Sequence, residues 1–153
     1  MHDLHRILLS SEVRDFHDEV ARLFEHLEQT TGAARLQAAG HCTPTLDVRE
    51  TTEALEVVLD LPGVAADHVR ILLKQNVLVM VGLKPTPYAA DRNGSTFHVV
   101  ERGFGRFARA VRLDGAFDGG RARALFRAGE LRVIVPRIDD RRGREILVPI
   151  TTA

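Results

Sequence analysis

E-R-G-F-G-R-F-A-R (Glu101–Arg109) and A-L-F-R-A-G-E-L (Ala124–Leu131) are the two stretches that decide how this chain folds. The first crowds two glycines, two aromatics and three arginines into a strand-like segment. The second reads as a short strand, a turn glycine and an apolar run ending at Pro136. Upstream of both, Leu61-Pro62-Gly63 ends a strand sharply, because proline cannot donate to a ladder and glycine tolerates positive φ. Around these points the hydrophobic period is two. Leu46 and Val48 alternate with Asp47 and Arg49, and Leu55, Val57, Leu59 and Leu61 with Glu56, Val58 and Asp60. Val69, Ile71 and Leu73 alternate with Arg70 and Lys74, and Val77, Val79 and Val81 follow a turn at Gln75-Asn76. Several short strands separated by turn residues describe an all-β fold, an antiparallel immunoglobulin-like β-sandwich.

The ends of the chain differ from this middle. From Ser10 to about Gln29, Val13, Phe16, Val20, Leu23 and Leu27 fall three or four residues apart, and Phe24 widens the stripe. This predicts an amphipathic helix, capped by Ser10 or Ser11 and stopped by Gly32. A helix this short must bury its stripe against the domain, another subunit or a client. Residues 30–43 are small and polar and read as a linker, giving an N-terminal arm over residues 1–43. The sandwich domain then spans 44–138, and a tail occupies 139–153. Leu83–Thr96 is a long irregular insert of the kind that is functional in compact domains. The tail E-I-L-V-P-I sets Ile146, Val148 and Ile150 along an extended segment stiffened by Pro149.

In 153 residues there is room for one cored domain with an extension. Twenty-one basic residues balance 21 acidic ones at a pI near 7.1, which argues against nucleic acid or an anionic membrane as a partner. Only Lys74 and Lys84 are lysines; the other basic residues are arginines, suited to bidentate pairing and aromatic stacking. Cys42 is the single cysteine, so an intrachain disulfide is excluded. The first ten residues lack the pattern of a signal peptide, and no apolar run approaches a membrane span. A reducing cytoplasm is the expected setting.

The order of a proline-glycine turn, then E-R-x-F-G-x-F-x-R, then A-x4-G-x-L resembles the α-crystallin domain of the small heat-shock proteins, in its bacterial form. The resemblance runs from about Pro44 to Ile150. It implies a homo-oligomeric chaperone that holds unfolding client proteins without ATP and uses no cofactor. The helix stripe Val13, Phe16, Val20, Leu23, Phe24 and Leu27 would bind clients, and Ile146, Val148 and Ile150 would anchor the oligomer like the family's I-x-I motif. The resemblance also implies a dimer in which part of the 83–96 insert, placed at Ser95–His98, swaps onto a neighbouring subunit. Glu101, Arg102, Arg109, Tyr88 and Phe97 would line that interface, with Arg109 in an ion-pair network across it. His98 matches a structural histidine of the family. Three positions depart from its pattern: Asp114 replaces a usual proline, Glu130 a usual valine, and the insert is less charged.

Rival chemistries are weak. Gly103 and Gly105 lack the third glycine and following helix of a phosphate loop, and read as permitting a bend or a close backbone approach beside Phe104 and Phe107. His2 and His5 have no carboxylate or thiolate cluster to complete a metal site. His41-Cys42 in a linker lacks a residue to orient it as a nucleophile. The sequence therefore reads as a binding protein rather than an enzyme, with a co-chaperone or a purely structural assembly module of the same fold as alternatives.

Overall fold

Alternation builds seven strands among the residues that the computed structural model describes, namely 10–31, 40–87 and 94–138, with side chains from Phe16 onward in the first segment. They are β1 (Leu46–Glu50), β2 (Ala54–Asp60), β3 (Val69–Lys74), β4 (Val77–Lys84), β5 (Gly105–Arg112), β6 (Arg123–Arg127) and β7 (Glu130–Pro136). They form a four-stranded sheet in the order β1-β2-β7-β6 and a three-stranded sheet β3-β4-β5, antiparallel throughout. The inward residues interdigitate: Leu55, Val57 and Leu59 of β2 and Leu131, Val133 and Val135 of β7 share one core with Leu78, Met80 and Phe107. The expected sandwich is the observed one.

Turn chemistry sets the register. Gln75 and Asn76 both take positive φ, 50° and 61°, as a two-residue hairpin with the strands' own twist requires. Ala128 and Gly129 repeat the device between β6 and β7, with φ of 52° and 77°. At Leu61–Val64 the Val64 N–H donates to the Leu61 carbonyl at 3.2 Å, and Gly63 supplies φ 77°. The Leu61 N–H donates to the Gly129 carbonyl at 2.6 Å, tying this turn to the β6–β7 hairpin.

Three expectations need correction. Glu101–Phe104 lies outside the strand, which begins at Gly105 with φ 109°. There the end of the expected linker runs alongside. Arg106 N–H donates to the Gly40 carbonyl at 3.1 Å, and Cys42 N–H donates to the Arg106 carbonyl at 2.9 Å. A Cβ on Gly105 would stand 2.2 Å from the Gly40 oxygen, so the close approach needs glycine. Residues 40–42 thus belong to the edge of the sheet. The third concerns β4. Val79 and Val81 do not face the inter-sheet core; Leu78 and Met80 do. The valines are nonetheless buried, at 3% and 0% exposure, on the opposite face.

The helix α1 (Ser10–Thr31) covers that face, touching β3, β4 and the short turn Ala66–His68. Its end is finished by hydroxyls: Thr30 Oγ1 donates to the His26 carbonyl at 2.8 Å and Thr31 Oγ1 to the Leu27 carbonyl at 2.6 Å.

Gly82 on β4 leaves the space that the Phe107 ring fills. A Cβ there would lie 2.4 Å from the ring and 2.6 Å from the His68 carbonyl oxygen. Gly82→Ala should therefore cost about 1–3 kcal/mol through overpacking. Gly63→Ala meets open space and pays only for its positive φ, about 1 kcal/mol. Urea midpoints of the two variants check the order; equal shifts would contradict the packing of Phe107 against β4.

Candidate functional site

The interface between α1 and the three-stranded sheet is apolar at its centre and polar around its rim. Leu27 is 0% exposed and meets Leu83, 2% exposed, with Phe24 packed beside them. Phe16, Val20 and Leu23 are half-buried. The side chain of Val13 lies outside the described residues. Around this centre, Glu19 is hydrogen-bonded to Lys74 of β3, and Glu28 to Arg106 of β5. The Arg106 guanidinium also lies 5.4 Å from the centre of the Phe24 ring. Arg70 of β3 donates to Thr30 Oγ1 at 2.7 Å and to His26 Nδ1 at 3.5 Å, and its other nitrogen is held by the Asp67 and Val69 carbonyls. The Lys74 ammonium holds the Glu19 carboxyl below its ordinary value by this hydrogen bond and its charge, with Arg22 adding a smaller effect.

Sequence reasoning found the stripe but missed its platform, Leu72, Val79, Val81 and Leu83. The signal was V-L-V-M-V-G-L itself. A run without polar interruption marks a strand covered on both faces, whereas alternation marks one covered on a single face.

The expected dimer residues are not brought together within the chain. Glu101 and Arg102 are exposed, and Arg102 stacks over Phe104 at 4.9 Å. Arg109 pairs with Met80 in the β4–β5 ladder, which puts it half-buried on the inward face of an edge strand. Among the described residues no ion pair joins Glu101, Arg102 or Arg109, so the expected network does not form inside one copy. Ser95–His98 forms no ladder with the described strands, and His98 is exposed. Phe97, Val99 and Val100 are exposed at 55%, 75% and 68%. Val48 shares the inward face of β1 through its register with Val57, yet remains 46% exposed, so this edge of the four-stranded sheet is uncovered. Tyr88 and the anchor Ile146, Val148 and Ile150 lie outside the described residues.

A charge network does form elsewhere, on the outer face of the four-stranded sheet. Glu56 accepts from Arg49 at 2.7 Å and from Arg132 at 3.3 Å, and Arg132 also reaches Glu130 at 2.9 Å. Glu130, the carboxylate in a usual valine position, is thus paired. Arg49 holds the Glu56 carboxyl below its ordinary value, and Glu130 raises Arg132. Cys42 packs against the core, and burial pushes its thiol up, opposite to the shift that activates a nucleophile. Among the described residues no group of three His, Cys, Asp or Glu side chains could hold a metal ion. No described helix is long and apolar enough to cross a membrane.

Among the described residues the architecture is a seven-stranded antiparallel sandwich with an amphipathic helix docked on its three-stranded sheet. Residues 47–151 match the Hsp20/alpha crystallin family, and the chain belongs to that family. It is 35% identical over 141 residues to the 21.9 kDa heat shock protein of Oryza sativa subsp. japonica, covering 84% of this chain and 68% of that one. It is 24% identical over 106 residues to small heat shock protein C4 of Rickettsia felis, covering 69% and 64% of the two chains. Among solved structures, heat shock protein 16.0 of Schizosaccharomyces pombe superposes with a TM-score of 0.60 at 25% identity, over 71% of this chain and 84% of that one. A small heat-shock protein from Xylella fastidiosa shares the fold with a TM-score of 0.58 at 23% identity, over 70% and 96%. Family membership implies a chaperone role.

The depressed Glu19 carboxyl gives the helix contact a pH dependence of fixed sign. A lowered carboxylate stabilises the docked state in full above its ordinary value of 4.5, and the contribution fades as pH falls through the depressed value. Amide exchange in α1 should therefore rise on acidification before exchange in β2 and β7 does, and Glu19→Gln should flatten that response. Hydrogen exchange at stepped pH checks it; simultaneous onset in helix and core would count against the contact.

Proposed function

We propose that this protein is an ATP-independent holdase that binds partly unfolded proteins and limits their aggregation. The observation that carries the reading is the α1 stripe: Phe16, Val20, Leu23, Phe24 and Leu27, with Val13 continuing it in sequence, on a helix that adds nothing to the inter-sheet core. Apolar burial stabilises by roughly 25 cal/mol per Å², so a few hundred Å² of shared surface captures a molten client without specific chemistry. Binding of this kind uses no cofactor or bond-making step, and the protein is not an enzyme. The single cysteine and its raised thiol suit a reducing cytoplasm.

Self-assembly is part of this reading. The expected insert loses Leu83 and Lys84 to β4; the uncovered β1 edge with Val48, and the exposed apolar run Phe97, Val99 and Val100, support exchange of the rest of that insert and its flank between two copies. Tyr88, Phe97, Glu101, Arg102 and Arg109 are the residues assigned to that dimer. Ile146, Val148 and Ile150 are assigned to anchoring larger assemblies. A co-chaperone or a structural module of the same fold would assemble in the same way without protecting clients.

Light scattering by a heat-labile enzyme, with and without this protein, tests the reading directly. Suppressed scattering at near-stoichiometric ratio is expected; unchanged scattering in a properly assembled sample would assign the chain to the structural alternative. Phe16→Ser with Phe24→Ser should weaken protection markedly while the strand content seen by circular dichroism stays near normal. Full protection by that variant would remove the stripe from client binding. Truncation after Gly143 should reduce large assemblies to dimers, and an unchanged mass by multi-angle scattering would rule out the tail anchor.

A further inference from the structure

We propose that two copies of this chain recognise each other through one defined register: residues 95–100 of one copy run antiparallel along the open edge of β1 of the other, with Phe97 opposite Val48 and His98 opposite Asp47. The inference rests on the exchange reading above and deepens it by naming the contacts that select the partner. Both surfaces lie among the described residues. β1 is an edge strand, laddered to β2 alone among the described strands. The Asp60 N–H donates to the Thr45 carbonyl at 3.1 Å, and the Thr51 N–H to the Ala54 carbonyl at 2.9 Å. Hydrogen-bonded pairs recur at every second residue of an antiparallel ladder, so Asp47 and Arg49 also turn their backbone groups to β2. Those of Leu46, Val48 and Glu50 are left at the open edge.

Side chains then choose the register. Leu46 packs against the inter-sheet core, and Val48 shares its face but is 46% exposed. A strand added here must therefore bring apolar side chains at alternate positions. On the outer face Arg49 is held by Glu56 at 2.7 Å, whereas the exposed Asp47 has no ion pair or hydrogen bond among the described residues. In S-T-F-H-V-V (Ser95–Val100), Phe97 and Val99 are 55% and 75% exposed, with the exposed His98 between them. With Phe97 opposite Val48, antiparallel addition sets Val99 opposite Leu46 and Thr96 opposite Arg49. Both apolar side chains fall inward, and the imidazole falls beside the carboxylate that lacks a partner.

Other registers match less well. An antiparallel strand with Val99 opposite Val48 sets the imidazole against the Arg49 guanidinium and Glu101 against Leu46. With Val100 there instead, Glu101 meets Asp47, a pair of like charges. A parallel strand with Val99 opposite Val48 sets Glu101 against Glu50, and one with Phe97 there again sets His98 against Arg49. The best rival is the parallel strand with Val100 opposite Val48. It matches Glu101 to Arg49, but a shift of one residue flips every side chain, so Phe97 and Val99 turn outward to water.

Cysteine pairs test the register. Opposed residues of a non-hydrogen-bonded antiparallel pair, as 47 and 98 would be, have Cα atoms about 4.5 Å apart, within disulfide range. Full-length protein with Cys42→Ser, Asp47→Cys and His98→Cys is oxidised mildly and run on a gel without reductant. A second variant with Cys42→Ser, Arg49→Cys and Glu101→Cys, the rival pair, runs beside it. The first should link copies into covalent dimers several-fold more than the second, and reductant should dissolve them. Preferential linking of the second variant, or dimers of normal mass in which neither links, would overturn the register and leave exchange standing. A one-chain mass for the unmodified protein by multi-angle scattering, or a link between 47 and 98 within one chain, would overturn exchange and the register with it. Charge reversal gives a measurement without cysteines. Asp47→Arg should weaken dimers several-fold on dilution, and His98→Glu in the same chain should restore them; a loss that His98→Glu does not repair would overturn the pair.

Discussion

Strand β4 is covered on both faces, and the rest of the molecule is arranged around that fact. Leu78 and Met80 project into the space between the sheets, while Val79, Val81 and Leu83 project the other way. A strand in water on one side would carry alternating polar residues; this one carries none between Val77 and Leu83. The inward set determines how closely the sheets approach, with Gly82 admitting the Phe107 ring. The outward set needs a second layer, and α1 is the element of the described chain that supplies it. Where α1 lies on the three-stranded sheet, the two-layer sandwich has a third layer.

That third layer differs in kind from the other two. The inter-sheet core joins residues distant in sequence through a continuous cluster of buried side chains, and removing β2, β4 or β7 would break two ladders at once. Among the described residues the helix contributes one fully buried side chain, Leu27, and two ion pairs to the sheet whose cations are exposed, and its departure breaks no ladder. Local opening in proteins concentrates where buried apolar contacts are few and polar contacts are solvated.

Much of the fold was legible in the sequence. The alternation at Leu55–Leu61 and Val69–Leu73 gave strands and inward faces correctly, because polar residues, Glu56 and Asp60 in one and Arg70 and Lys74 in the other, mark the outward side. Gln75-Asn76, Pro62-Gly63 and Ala128-Gly129 announced their turns because few residue types accept those backbone angles. The faces of β4 were illegible for the opposite reason: in V-L-V-M-V-G-L both sets are apolar, and periodicity has nothing to distinguish. The helix was legible, but its landing site was not, since that depends on the sheet face it meets. Glu28 and Arg106 are far apart in sequence, and nothing local in either marks the pair. The close backbone approach read at Gly105 is present, but the segment that approaches, Gly40–Cys42, was not legible, and the start of β5 was misplaced. Arg109 is half-buried on an edge strand without an ion-pair partner among the described residues, while Tyr88 and Ile146–Ile150 lie outside those residues.

The claim that β4 is dressed on its outer face by the chain's own helix is most directly tested through methyl groups. In full-length protein with labelled leucine methyls, the two residues to observe are Leu27 and Leu83. The account predicts a strong nuclear Overhauser cross-peak between them at neutral pH and low salt, with both methyls shifted from their unfolded positions. Absence of that cross-peak, with Leu27 at an unfolded shift while Leu83 remains in a folded environment, would contradict it.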